Sequence, residues 1–301
     1  MDSQLSCHKK GKRNSAANYR PISITSSVVK VIEGIINDTV IKHLEKNGII
    51  QHSQHGFQSG RSVDTNLWQY YNLVTDLIDK GIPVEVVLFD VAKAFDKVRH
   101  RRLIVKLHTA RTNNRVVGRI KAFLAERTPT GQNIHISWNA DLFKFIAIQE
   151  WCFQGTILCP TLFYIFINDA PSVVHDYLTL YADDLKLIGG IRNQLDADVY
   201  QRDINKLNNW ANAWLLSFNT SKYHVLHFGK KNLRFGCTLN DLPLEVLPKD
   251  RDLGVLVDKK LKFDSHAAIA ASSANQTLGT IKRTISSRSP VVMTTLYKAL
   301  V

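Results

Sequence analysis

Tyr177-Leu178-Thr179-Leu180-Tyr181-Ala182-Asp183-Asp184-Leu185-Lys186-Leu187-Ile188 sets two short apolar runs on either side of an adjacent pair of aspartates. Leu178 and Leu180 alternate with their neighbours before the pair, and Leu185 and Leu187 do so after it, the period of a strand with one buried face. Asp is a favoured turn residue, so the stretch reads as strand, tight turn at Asp183-Asp184, strand. Two acids in a solvated turn would be unremarkable. Here the flanking strands are apolar, which puts the carboxylates at the rim of a core. Two unit charges about 4 Å apart repel by roughly 4 kcal/mol at an effective dielectric near 20. Such a pair calls for a cation, and hard divalent ions, Mg²⁺ above all, take carboxylate oxygen.

A third carboxylate has the same setting. Asp90 ends the β-branched run Val84-Glu85-Val86-Val87-Leu88-Phe89, with Phe95 five residues further on. An acid at the end of a buried strand is costly unless something binds it. Three carboxylates from two strands can hold two metal ions for phosphoryl transfer, one activating the attacking hydroxyl and one stabilising the leaving group. Around these strands, helical spacing marks residues 28–44, 64–78 (stopped by Gly81 and Pro83) and 196–216. Residues 162–168 read as a buried helix behind a loop that Gln154-Gly155 opens, and a further helix begins at Asp264. Strand-like alternation runs through 134–148 around Asn139-Ala140-Asp141, with shorter strands at 223–228, around 239–247 and at 253–257. Strands and helices mix without a regular β-α-β alternation, so the expected class is α+β.

Charge narrows the function. The chain has 301 residues with 39 Lys plus Arg against 26 Asp plus Glu, a net charge of +13. Charge of that size repels itself in a compact fold and points to nucleic acid or an anionic membrane. The longest strongly apolar run, 162–167, is far too short to span a bilayer, which sets membrane aside in favour of nucleic acid. Ten basic residues against the single acid Glu126 fall within 97–127, interleaved with apolar residues at helical spacing. Arg111, Arg115 and Arg119 are its candidates for phosphate-backbone contact, with a solvated helix face as the bland alternative. Lys9, Lys10, Lys12 and Arg13 form a second cluster, fit for a flexible phosphate-binding arm or a nuclear signal. Residues 1–13 lack the apolar core of a secretory leader. Four scattered cysteines without a C-x-x-C pair argue against a zinc knuckle and fit a reducing, intracellular compartment, nucleus or cytoplasm. His52 and His55 lack the partner pair that a zinc site needs.

The order of the surrounding motifs says more than any one of them. Asn18-Tyr19-Arg20-Pro21-Ile22-Ser23 comes first, then His55-Gly56-Phe57 with Gly60-Arg61-Ser62, then Phe89-Asp90-Val91-Ala92-Lys93-Ala94-Phe95-Asp96. Gln154-Gly155 follows with Leu158 and Pro160-Thr161-Leu162-Phe163, then Tyr181-Ala182-Asp183-Asp184, Asn219 with Lys222, and Leu253-Gly254-Val255. In this order, over nearly the whole chain, the series resembles the reverse transcriptase domain of LINE-type, jockey-like non-LTR retrotransposons.

The resemblance implies a right-hand polymerase fold. Residues 1–82 would be fingers, 83–115 and 151–248 palm, 116–150 a fingers–palm connection, and 249–301 a primer grip with a truncated thumb. It implies an RNA-directed DNA polymerase that adds deoxynucleotides to a primer 3′-hydroxyl using two Mg²⁺ ions, with Mn²⁺ as a substitute. Its partners would be an RNA template, a DNA primer and deoxynucleoside triphosphates. Asp90 and Asp183 become the principal metal ligands, with Asp184 completing the cluster, and Lys222 a proton donor to departing pyrophosphate. Phe95 takes the place of the ring that excludes a ribose 2′-hydroxyl. Gln154 and Gly155 line the nucleotide site, Arg61 reaches the triphosphate, and Leu253 and Gly254 grip the primer end. Three positions depart from the family pattern. Gln58 stands where a basic residue is usual, Trp151-Cys152-Phe153 replaces a Gly-Val-Pro run, and Cys159 replaces a Gly. All three belong to the nucleotide pocket and keep a second reading open, a catalytically weak or dead nucleic-acid-binding relic with the same fold.

Overall fold

The chain opens on an antiparallel pair, β1 (Ser3–His8) and β2 (Tyr19–Ile24), two strands that the sequence reading does not assign. The computed structural model describes residues 3–8, 19–92, 94–125, 134–138, 141–145, 155–219, 223–287 and 289–300, so the basic cluster at 9–13 lies outside the described residues. Helices α1 (Ser27–Lys46) and α2 (Val63–Asp79) form where the 3.6-residue spacing predicts them. Each starts on a serine cap, Ser26 and Ser62, and α2 closes a reciprocal capping box with Thr65. β3 (Val84–Asp90) passes through a 3₁₀ turn at Ala94–Lys97 into α3 (His100–Thr109) and α4 (Asn114–Ala125). β4 (Ile134–Trp138) and β5 (Asp141–Phe145) then pair antiparallel, as their alternation predicts. After α5 (Leu158–Ile167) come β6 (Tyr177–Tyr181), β7 (Asp184–Gly190), α6 (Gln194–Ala213) and β8 (His224–Phe228). Three two-residue strands follow, β9 (Thr238–Leu239), β10 (Leu242–Pro243) and β11 (Glu245–Val246). The chain then makes the hairpin β12 (Lys249–Asp252) and β13 (Val255–Asp258), and ends in α7 (Asp264–Thr284) and α8 (Pro290–Leu300). Leu253 and Gly254 are therefore the turn of that hairpin and not the start of a strand, as the spacing predicts.

Five strands form the central sheet in the order β11-β8-β3-β7-β6, antiparallel except for the β11–β8 edge. Successive strand residues face opposite sides, and the burial follows that rule. Val87 and Phe89 of β3, Leu185 and Leu187 of β7 and Val225 of β8 join one apolar cluster with α1, α3, α4, α5 and α6. Val84, Val86, Ile188, Leu226 and Phe228 join a second with Tyr70 and Val74 of α2 and Val257 of β13. The sheet is thus covered on both faces, helices on one side and α2 with the last hairpin on the other. α5 is buried at every position but Pro160, which explains a helix that is apolar all round. Its first turn is tied to α1, where the Ile157 amide donates to the buried Glu33 carboxylate at 2.7 Å and the Thr161 hydroxyl to Asn37 Oδ1 at 2.6 Å. No helix among the described residues is long and apolar enough to cross a membrane.

Candidate active site

Strand register brings the acids together. Asp90 is the last residue of β3 and stands directly opposite Asp184, the first residue of β7. Residues so paired have Cβ atoms about 4.5–5.5 Å apart, and both share the parity of the α2 face. The turn residues are Ala182 and Asp183, so Asp184 belongs to the strand and not, as the sequence pattern suggests, to the turn. The Asp183 carbonyl accepts from the Val91 amide at 3.0 Å, which fixes the turn against the end of β3. Asn219 holds the other side: its amide donates to the Asp90 carbonyl at 2.8 Å and its Nδ2 lies 3.4 Å from Asp90 Oδ2. Burial first, then the charges of Asp183, Asp90 and Asp252, push the Asp184 carboxyl up to about 7, against the opposing pull of Lys186. That raised value marks a concentration of negative charge which a divalent cation would relieve. Among the described residues no three His, Cys, Asp or Glu side chains form a ready-made ligand cage. The sheet register supplies the acids at one end.

The polar stretch at 47–61 carries no periodic signal, yet it supports this hairpin. The His55 amide donates to the Leu180 carbonyl at 2.9 Å and the Leu180 amide to the Ser53 carbonyl at 2.8 Å, so residues 53–55 lie along the β6 edge. Gln54 Oε1 accepts from the Gly56 amide at 2.8 Å and from the Ala182 amide at 3.3 Å. A Cβ on Gly56 would come within 2.5 Å of the Ala182 nitrogen, which explains glycine there. Lys186 is 1% exposed, pairs with Asp252 at 2.7 Å and donates to Asn66 Oδ1 at 2.7 Å. Burial lowers the Lys186 ammonium and raises the Asp252 carboxyl, and their pairing opposes both shifts.

Phe95 is half-buried, 4.8 Å between ring centroids from Phe163 of α5 and 6.2 Å, edge-on, from Phe57 of the His55-Gly56-Phe57 motif. Arg61 Nη1 donates to the His52 carbonyl at 2.6 Å and lies 3.1 Å from His55 Nε2. Gln58 donates to the Tyr164 hydroxyl at 2.5 Å. Gly155 is exposed with φ +100°, a conformation that favours glycine, three residues before α5. Gln154 and Lys222 lie outside the described residues. Leu253 (φ +44°) and Gly254 (φ +93°) form the hairpin turn next to Asp252. Arg111, Arg115 and Arg119 are exposed, and none has an ion-pair partner among the described residues.

Lys106 departs from both readings of the basic segment, phosphate contact and solvated face. It is buried, ion-paired with Asp169, and its Nζ lies 3.6 Å from the centre of the Trp214 ring. Lys97 likewise bonds the Ser217 hydroxyl.

The family profile described as "Reverse transcriptase (RNA-dependent DNA polymerase)" matches residues 7–264. The chain belongs to the reverse transcriptase family. Its similarity to curated proteins places it on the jockey-like, non-LTR side of that family. It is 25% identical over 304 aligned positions to the probable RNA-directed DNA polymerase from transposon X-element of Drosophila melanogaster, covering 97% of this chain and 33% of that protein. It is 25% identical to the RNA-directed DNA polymerase from mobile element jockey of the same organism, over 86% of this chain and 29% of that one. The chain thus spans about a third of the length of these relatives. Among solved structures, apo telomerase from Candida tropicalis matches with a TM-score of 0.54 at 12% identity, covering 87% of this chain and 47% of that one. That likeness bears on fold alone, and with the mixed sheet and helices it gives this member of the reverse transcriptase family an α+β, right-hand polymerase fold. Sequence reasoning missed Gln54, Asn66 and Lys186. Each is polar and lies beside a motif, but only the assembled fold reveals its partner.

Proposed function

We propose that this chain is an RNA-directed DNA polymerase domain of a non-LTR retrotransposon, extending a DNA primer on an RNA template with deoxynucleoside triphosphates. The observation that carries the reading is the register of Asp90 against Asp184, with Asp183 in the adjoining turn. Asp90, Asp183 and Asp184 would hold two divalent ions, Mg²⁺ by the hardness of carboxylate oxygen. When bound, those ions would activate the primer 3′-hydroxyl and stabilise the leaving pyrophosphate. Asn219 orients Asp90 through its backbone and side-chain contacts, and Gln54 holds the Ala182 amide that precedes Asp183. The ring of Phe95 limits space for a 2′-hydroxyl. Gly155 and Gln154 line the nucleotide site, Arg61 faces the triphosphate, and Lys222 supplies a proton to pyrophosphate. Arg111, Arg115 and Arg119 contact the template–primer backbone, and Leu253-Gly254 the primer end. In this reading 1–82 and 116–150 serve as fingers and connection, 83–115 and 151–248 as palm, and 249–301 as grip and the start of a thumb.

The test is Mg²⁺-dependent extension of a DNA primer on an RNA template by the purified chain. Extension that requires both the template and the ion supports the reading. A protein that binds the primer–template tightly, binds Mg²⁺, and never extends it is a relic.

A further inference from the structure

Lys186 and Asp252 come from different hairpins, and neither lies in the motifs that the family resemblance rests on. Their side chains are 1% and 5% exposed, with Nζ 2.7 Å from Asp252 Oδ2. The same ammonium donates to Asn66 Oδ1 at 2.7 Å and lies 5.0 Å from the centre of the Tyr70 ring, both on α2. Asn66 in turn donates through Nδ2 to the Leu180 carbonyl at 3.1 Å, one residue before Tyr181. One buried cation therefore joins three elements: β7 two residues after Asp184, helix α2, and the hairpin β12–β13.

A buried ion pair adds little net stability, because desolvation offsets most of the attraction. What it does supply is geometry. Asp252 is the last residue of β12, and the turn Leu253-Gly254 follows it directly. Holding Asp252 on Lys186 fixes where that turn stands relative to Asp184, because Lys186 and Asp184 share one strand and one face. The hairpin has other attachments, Val257 in the apolar cluster and Asp250 against His224 Nδ1 at 2.7 Å. Breaking the Lys186–Asp252 pair should therefore loosen the turn without releasing the hairpin. We infer that Lys186 is a positioning residue that locks the Leu253-Gly254 turn to the carboxylate hairpin. The inference rests on the proposed function, in which that turn meets the primer end.

The experiment uses the full chain with Lys186→Met and, separately, Asp252→Asn, which keeps the side-chain shape and serves if the first variant does not fold. Amide hydrogen exchange is read across 249–258 and across 84–90. Equilibrium affinity is read for a primer–template with a recessed 3′ end and for the template strand alone. Exchange in 249–258 should quicken by about tenfold while 84–90 keeps its protection, and only the recessed-end affinity should fall. A generally loosened fold would move both segments and both affinities together, and would overturn the inference. Wild-type exchange in 249–258 in a folded variant overturns it too. Faster exchange with unchanged recessed-end affinity upholds the lock and removes the turn from the primer. Full extension activity in Asp183→Asn would overturn the active-site reading instead, and leaves the exchange result standing.

Discussion

Asp90, Asp183 and Asp184 gather three acids at one end of a sheet covered on both faces, whereas Arg111, Arg115 and Arg119 spread three cations over the exposed surface of α4 and the turn before it. The two regions treat charge in opposite ways. At the sheet end, backbone pairing forces like charges together and burial removes the water that would screen them, so Asp184 rises to about 7. On α4 and the turn before it, the guanidinium groups stand in solvent, where repulsion is cheap and salt screens it. Lys106 shows that the contrast is one of environment and not of composition. It falls within the same basic segment, but burial lowers its ammonium, and aromatic rings and Asp169 enclose it. On the proposed function, the first region would take a compact divalent partner and the second an extended polyanion.

The sharpest way to break this comparison is to remove charge from each region in turn. Asp183→Asn should lower primer extension by roughly 100-fold or more, since even outer partners of metal ligands cost 10–100-fold, while duplex affinity stays within severalfold. Steady-state extension and a filter-binding isotherm on one preparation check it. A fall in both would mean that Asp183 supports the fold and not the ion.

Phe95→Ala tests the ground between the two regions. Removing the ring should raise ribonucleotide incorporation relative to deoxynucleotide by roughly 10–200-fold, the range that pocket shape alone can discriminate. Unchanged sugar preference in a folded variant would return Phe95 to simple packing against Phe163 and Phe57.

Neutralising Arg111, Arg115 and Arg119 to Gln should leave the catalytic constant untouched and flatten the salt dependence of duplex binding. Each phosphate that no longer meets a guanidinium should lower the slope of log affinity against log salt by about 0.9. A slope that does not move makes these three a solvated face.

The pH dependence of the metal-free protein follows from Asp184. An unfolded aspartate has its ordinary value of 3.8 and the folded one about 7. Below the lower value both states hold the proton and the contribution to stability is complete. As pH rises towards about 7 the unfolded state has released its proton while the folded state keeps it, so the contribution is lost. Thermal stability without metal should fall across this window, and saturating Mg²⁺ should raise Tm by a few degrees at pH ~8 and little at pH ~5.5. Asp184→Asn should flatten the decline and abolish most of the Mg²⁺ effect, as read by calorimetry.

The smallest expected effect is the most discriminating. Lys106→Met removes a positive charge from the basic segment, yet the salt slope should be unchanged, and stability should stay within about 1 kcal/mol because the carboxylate left behind, Asp169, is 45% exposed and keeps its water. A slope reduced as much as by an exposed arginine would erase the distinction between the two environments.

Much of this protein is legible in its residues because local chemistry decides it. The alternation on either side of Asp183-Asp184 and the run ending in Asp90 specify three strand segments, and apolar spacing specifies α1, α2 and α6 within a few residues. The motif order is a property of the chain alone, and it points to the family without any knowledge of the fold. Tertiary structure decided the rest, because pairing register and burial are long-range quantities that no window of sequence contains. Only the sheet sets Asp90 opposite Asp184, 94 positions further along the chain. Only assembly turns the aperiodic stretch at 53–56 into a strip along β6, buries Lys106 among tryptophans, and seats Lys186 between Asn66 and Asp252. A lysine in a strand reads as solvated until the partner for its charge arrives from 66 residues away. The free energy of a charge depends on its surroundings far more than on its neighbours in the chain.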